Sequence, residues 1–140
     1  MKNIITITIL VLSLFSCKET KKVVDVKANE ITSGKYEIMR LQGKELVHTL
    51  FFEISASENR IFGKTNCNSF QGKYEINNNN TIKIGPLSAT QMYCEENVMK
   101  VEHSLFQVFD NTKSFTSDSK MLTLMGEDGT VLLKAYLNNK

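Results

Sequence analysis

Residues 63–76 run GKTNCNSFQGKYEI and contain the triplet Asn66-Cys67-Asn68. From Gln71 to Ile76, polar side chains alternate with apolar ones or glycine, which is the pattern of a half-buried β-strand. A cysteine between two amides can be a nucleophile, a metal ligand or one half of a disulfide. The compartment in which the protein resides decides among these, and the N-terminus indicates that compartment.

The N-terminal residues have the features of an export signal. Lys2 supplies a positive charge, and residues 4–15 form an apolar run that only hydroxyl side chains interrupt. As a helix this run would rise about 18 Å, too short for a hydrocarbon core of roughly 30 Å. The length is typical of a signal peptide.

The apolar run ends in Leu14-Phe15-Ser16-Cys17, which resembles the lipobox of bacterial lipoproteins. That resemblance implies that residues 1–16 are a signal peptide removed before Cys17, and that Cys17 is acylated. The alternative is an ordinary secretory signal with an incidental cysteine. Because each buried CH2 contributes about 0.8 kcal/mol, two or three acyl chains anchor a protein stably. Residues 17–33 are then a lipidated tether, and we expect the protein at the cell envelope, in the outer membrane, with its domain in the periplasm or at the surface.

Composition excludes some classes of partner. Lysine and arginine number 17 and acidic residues 15, so the net charge is +2 and gives no electrostatic case for binding nucleic acid. No motif indicates a cofactor. We expect a monomer of one domain over residues 34–140.

After residue 33, short apolar alternations separated by turn residues predict β-strands. Asn77 to Asn80 and Glu127-Asp128-Gly129 are typical of turns, the second of a hairpin. The predicted strands are Lys35–Leu41, Thr49–Ser55, Arg60–Thr65, Gln71–Ile76, Thr81–Ile84, Met121–Met125 and Val131–Leu137.

One helix interrupts the strands, over about 95–110. Apolar side chains recur at three- and four-residue spacing, which marks one face of a helix; they are Val98, Val101, Leu105, Val108 and Phe109. An antiparallel sheet with one inserted helix has an α+β architecture.

Several segments occur together in a fixed order: GKTNCNSFQG at 63–72, IGPL at 84–87, SATQMYC at 88–94, Glu102 with Phe106, and LTLMGEDGTVLL at 122–133. This combination resembles the META-domain family of bacterial envelope proteins, which includes a heat-inducible lipoprotein. Tyr36 stands where that family usually has tryptophan, and Asn66 where it usually has glycine.

The resemblance implies a mainly antiparallel sheet curled into a partly open barrel, with the helix closing one end. It implies a role in stress tolerance and envelope integrity, and no enzymatic activity defines the family. The fold is also similar to that of the pilotins of type III secretion, lipoproteins that hold a lipid or a secretin tail.

With Cys17 acylated, Cys67 and Cys94 remain, and in an oxidising compartment this pair predicts a disulfide. Such a bond would restrict the unfolded chain by roughly 3.5 kcal/mol. Two separate buried thiols are the plain alternative. A thiol enzyme would instead need Cys94 or Cys67 beside His103 as its base. A zinc site from both cysteines, His103 and a carboxylate lacks the usual ligand spacing, so no metal is expected.

Polar residues around Cys67 have two interpretations. Asn66, Asn68 and Gln71 can hydrogen-bond a ligand, or they can hold a tight loop to itself. Gly63 and Gly72 favour the second interpretation, because glycine suits bulges and close backbone approach. The apolar set expected in the core comprises Met92, Tyr93, Phe51, Phe52, Phe62, Phe70 and Phe115. In an open barrel some of these side chains would line a lipid-sized groove.

Three functional hypotheses follow. The protein is a binding module for an apolar ligand or an envelope protein, a structural stress-response lipoprotein, or a thiol enzyme that uses Cys94 and His103. An apolar cavity open to solvent would favour the first hypothesis, and a filled core would favour the second.

Overall fold

Buried and exposed side chains alternate along the strands, as expected for a sheet with one face in the core. The computed structural model of the chain describes residues 30–77 and 80–138. The predicted signal peptide, Cys17 and most of the tether lie outside the described residues. The strands are β1 Gly34–Leu41, β2 Phe51–Ser55, β3 Arg60–Lys64, β4 Ser69–Asn77, β5 Thr81–Ile84, β6 Ser88–Ala89, β7 Ser114–Ser117, β8 Met121–Met125 and β9 Val131–Asn138. The helix, α1, is Glu96–Asn111.

The sheet closes on itself. Every described strand pair is antiparallel, and the order β3-β2-β1-β9-β8-β7-β5-β4 returns to its start because β3 also pairs with β4. β4 makes this possible: its first half pairs with β3, and its second half pairs with β5 over Tyr74–Asn77. The prediction of a partly open barrel is therefore wrong. The eight strands form a closed barrel, and the fold is mostly β with one helix.

The join between β5 and β7 is the shortest in the ring. Thr81 pairs with Ser114, and the Ile82 N–H donates to the Lys113 carbonyl at 2.9 Å. The two-residue β6 lies beside β4 and outside the ring, opposite Phe70 and Gln71.

Large apolar side chains fill the barrel. Phe52 stacks on Tyr36 at 5.5 Å between ring centroids and meets the edge of Phe109 at 5.7 Å. The interior cavity between Ile31 and Leu124 measures about 10 Å³, about the space of one water molecule. The lipid-sized groove expected for an open barrel is therefore absent from the described interior.

Helix α1 packs across one end of the barrel. Leu105, Val108 and Phe109 are buried, as the helical spacing predicts, whereas Val98 and Val101 are only partly buried. The helix buries Glu102 in addition to these apolar side chains. The predicted apolar face thus packs on the sheet in its C-terminal half and borders a surface groove in its N-terminal half.

Four aromatic or methionine positions differ from the prediction. Phe51 and Phe62 project from the outer wall and are partly exposed, because each neighbours a buried residue in its strand and strand side chains alternate. Met92 is 54 % and Tyr93 94 % exposed, since both lie in the irregular segment before α1. Phe52, Phe70 and Phe115 are buried as expected.

The predicted Asp-Gly hairpin turn is confirmed between β8 and β9. Gly129 has φ +79°, and the Asp128 carboxylate accepts hydrogen bonds from the Thr130 N–H and hydroxyl at 2.9 and 2.7 Å. The Ser88–Ala89 and Ser114–Ser117 strands were not predicted, because they are short and rich in serine. Within the described ranges, no helix has the length and apolar character needed to cross a membrane.

Candidate functional site

Glu102 connects the helix to the loop between β3 and β4. Its carboxylate is buried and accepts hydrogen bonds from the Asn68 N–H at 3.0 Å and the Asn68 Nδ2 at 2.8 Å. The Thr65 hydroxyl also donates to it. A buried carboxylate is tolerated when hydrogen bonds replace its lost hydration, and three donors do so here.

Asn68 also holds the segment that precedes the helix. Its Oδ1 accepts from the Thr90 hydroxyl at 2.7 Å and from the Met92 N–H at 2.8 Å. Its Nδ2 lies 3.3 Å from the Met92 carbonyl. One buried amide therefore joins the β3–β4 loop, the segment 90–92 and the helix.

Cys67 and Cys94 form the disulfide that the sequence predicts, with their Cα atoms 6.0 Å apart. The bond joins the same loop to Cys94, two residues before α1 begins. Neither sulfur is a free thiol in this state, so the thiol-enzyme hypothesis loses its nucleophile at these two positions. His103 is exposed on the helix.

The three predicted polar residues do not converge on one site. Asn66 is exposed beside the helix, while Asn68 is buried and holds the loop. Gln71 lies on the outer wall of β4, where its Oε1 accepts from Arg60 at 2.6 Å. The structural interpretation of Asn68 is therefore the one the contacts support.

A groove of about 560 Å³ runs along the N-terminal half of α1. We define the helix groove by Leu46, Val47 and His48 from the β1–β2 loop, Asn66, and Val98 and Val101 from the helix. Val47 is 93 % exposed, and the charged side chains at the margin are of both signs: Lys44, Glu45, Glu95 and Lys100. An apolar floor with a mixed polar margin can accept an amphipathic segment.

The zinc set considered from the sequence is not assembled. Within residues 30–77 and 80–138, no three side chains of His, Cys, Asp or Glu cluster as metal ligands.

Sequence reasoning missed Thr65 as a member of the site and gave Glu102 no role in it. Both are polar residues in the interior, where a sequence pattern favours apolar side chains. The available signal was that Glu102 lies between Val101 and Leu105 on the apolar face, where a carboxylate needs buried donors.

The side chains with shifted pKa values do not belong to the cluster of Thr65, Asn68 and Glu102. Burial raises the pKa of Tyr36 to about 12 and also raises the pKa of Tyr74. Hydrogen bonds from Lys120 and Met121 lower the pKa of Asp118, and those from Thr130 lower the pKa of Asp128. The two aspartates hold exposed turns.

Comparison with known proteins identifies relatives by family and by fold. The family model for the META domain matches residues 29–137. No curated protein matches the chain significantly.

Two solved structures share the fold. An NMR structure of a protein from Burkholderia xenovorans has a TM-score of 0.60 at 13 % identity, covering 76 % of this chain and 83 % of that one. A second NMR structure has a TM-score of 0.57 at 17 % identity, covering 74 % and 88 %. At this identity the likeness concerns the fold alone.

Proposed function

The chain belongs to the META-domain family, and from this premise we propose that it is an acyl-anchored envelope lipoprotein whose domain binds an envelope protein without catalysing a reaction. The anchor is Cys17, and the binding surface is the helix groove. Its role is in stress tolerance and envelope integrity, as the family resemblance implies.

The helix groove is the observation that carries the proposal. The interior holds about 10 Å³ of free space, whereas the groove outside the barrel holds about 560 Å³. A lipid carrier of the pilotin kind would instead need a large cavity inside the barrel. A protein segment fits the groove better, because its apolar side chains would cover Val98 and Val101 while its polar groups meet the charged margin.

The Asn68–Glu102 contacts support a preorganised binding surface. They fix the helix against the β3–β4 loop at 2.8 and 3.0 Å, and Asn66 in that loop borders the groove. Two walls of the groove are therefore held in register before a partner arrives, which reduces the entropy lost on binding.

A structural stress-response role without a ligand is the second candidate. The filled barrel favours it, because nothing in the described interior leaves room for a ligand larger than water.

One complementation experiment separates the two candidates. A strain that lacks the chain is tested for survival of heat and detergent, and is complemented with wild type, Val47→Asp, Val98→Asp or the control Val131→Asp. Val131 is exposed on β9 and does not border the groove. Val47 is almost fully exposed, so its substitution should leave the fold intact.

We expect wild type and Val131→Asp to restore survival, and both groove variants to fail at equal abundance. A photoreactive side chain at position 47 should join the same envelope protein in each preparation, and Val98→Asp should abolish that product. If both groove variants restore survival fully, the binding proposal is wrong and the structural candidate stands.

A further inference from the structure

Three sulfur atoms meet beside the β3–β4 loop. Cys67 is bonded to Cys94, and the Met99 Sδ lies 3.7 Å from the Cys67 Sγ. Met99 lies in the first turns of α1, within five residues of Cys94 in the sequence. Thiolate and thioether sulfur are the ligands that Cu(I) prefers over harder oxygen and nitrogen donors.

We propose that the reduced form of this chain binds one Cu(I) ion through Cys67, Cys94 and Met99. This is a second site, separate from the helix groove, and it does not depend on the proposed partner protein. The disulfide form has no thiolate to offer, so metal binding and the disulfide exclude each other.

The frame around the sulfurs does not depend on the disulfide. The Thr65 hydroxyl oxygen accepts from the Cys67 N–H at 3.0 Å. The Asn68 Oδ1 accepts from the Met92 N–H at 2.8 Å, two residues before Cys94. Neither hydrogen bond uses a cysteine sulfur, so reduction removes neither of them, and the two thiols should stay close enough to share one ion.

Of the three proposed ligands, Met99 borders a surface cavity of about 480 Å³, together with Met92, Tyr93 and Phe106. The ion would enter from this cavity past Met99. Cys94 and Met99 are partly exposed, whereas Cys67 is 2 % exposed and lies deepest. Glu102 does not compete for the ion, because its carboxylate already accepts from Thr65 and Asn68.

The chemistry requires a reductant, which we take to be a dithiol. The dithiol gives two electrons and two protons to the Cys67–Cys94 bond and becomes a disulfide itself, leaving two protein thiols. One Cu(I) then displaces both protons, and the two thiolates with the ion carry one net negative charge. The Asn68 Nδ2, 3.4 Å from the Cys67 Sγ, can donate to this anion, and the Met99 thioether adds a neutral third ligand.

The test uses the full chain in mild detergent with Cys17→Ala, which leaves two of the three cysteines. The chain is reduced, and its circular dichroism spectrum is compared with that of the oxidised form. It is then titrated anaerobically with Cu(I) against a chromogenic chelator, and in parallel with Zn²⁺. The variants are Cys67→Ser, Met99→Leu and the control Met121→Leu, which changes a partly buried methionine on β8.

We expect one Cu(I) per reduced chain, none on the oxidised chain under the same competition, and no comparable retention of Zn²⁺. Met99→Leu should weaken Cu(I) binding about tenfold, as expected for a lost soft ligand, whereas Met121→Leu should not. X-ray absorption at the copper edge should count three sulfur neighbours in wild type and two in Met99→Leu.

Four results would overturn the proposal. They are loss of the fold on reduction, Cu(I) binding by Cys67→Ser equal to wild type, equal affinities in Met99→Leu and Met121→Leu, and Zn²⁺ held as tightly as Cu(I).

Discussion

Asn68 and Glu102 are joined twice, through the backbone N–H of Asn68 at 3.0 Å and through its side-chain amide at 2.8 Å. The two residues are 34 positions apart in the sequence. This pair places the helix on the barrel end, and with Cys67 it fixes the loop that borders both candidate sites.

Glu102→Gln should destabilise the fold. The substituted side chain has one acceptor oxygen and presents an NH2 group to donors of Thr65 and Asn68, so a buried donor loses its partner. We expect the free energy of unfolding in urea to fall by about 2 kcal/mol. Glu96→Gln, which changes an exposed ion pair with Lys100, should alter it by about 0.5 kcal/mol or less. Equal effects would show that the carboxylate of Glu102 is not needed.

Removal of the disulfide should weaken the domain without unfolding it. Replacing both Cys67 and Cys94 by serine frees a loop of 27 residues, which lowers the free energy of unfolding by roughly 3.5 kcal/mol. Reduced wild type should have the same free energy of unfolding in urea as the double variant. Cys17→Ala should leave that free energy at the wild-type value. A double variant that lacks the native circular dichroism spectrum would contradict the view that hydrogen bonds hold this loop.

Gly63→Ala should strain the barrel. A Cβ at this position would lie 2.9 Å from the Phe70 ring and 3.0 Å from the Phe51 carbonyl oxygen. Because Phe70 is buried and cannot withdraw, we expect a loss of about 1–3 kcal/mol in thermal or urea unfolding. Gly126→Ala is the control, since the nearest atom there, 3.3 Å away, is at the end of the Asp128 side chain. Equal losses would argue against a packing role for Gly63.

Alkaline unfolding should depend on Tyr36. Burial, with a smaller contribution from Tyr74, raises the pKa of Tyr36 from 10.0 to about 12. Above pH 10 the unfolded chain releases this proton while the folded chain retains it. The contribution of Tyr36 to the free energy of unfolding is therefore complete below pH 10 and is lost as the pH rises towards about 12.

Tyr36→Phe should therefore flatten the fall in urea midpoint above pH 10. Below that pH it should cost about 1 kcal/mol, because the Tyr36 hydroxyl no longer donates to the Thr32 carbonyl. Tyr93→Phe, at an exposed position, should keep the wild-type profile. Identical profiles for wild type and Tyr36→Phe would refute the assignment.

Cys17→Ala should release the protein from membranes. Without acyl chains the domain has no stable anchor, so it should move from the membrane fraction to the soluble fraction after cell breakage. Cys94→Ser, which leaves Cys17 intact, should remain in the membrane fraction. A Cys17→Ala chain that still sediments with membranes would refute lipid anchoring.

The sequence by itself determined the family and the order of the helix and of seven of the nine described strands. Two predicted strands, Thr81–Ile84 and Met121–Met125, match the structure at both ends, because alternation and turn residues are local properties. The helix lies within one residue of its predicted range for the same reason. The sequence also predicted the Cys67–Cys94 disulfide, because the assignment of Cys17 to acylation leaves two cysteines and an oxidising compartment favours a bond between them.

Only the tertiary structure decided closure, burial and the site. β1 pairs with β9 and β5 with β7 because the twist of eight strands brings distant parts of the chain together, and no local pattern encodes that meeting. Helical spacing places Glu102 on the apolar face of the helix, but its hydrogen-bond donors, Thr65 and Asn68, come from another part of the chain. Hydrogen-bond partners and cavities depend on distances in space, which periodicity along the chain does not measure.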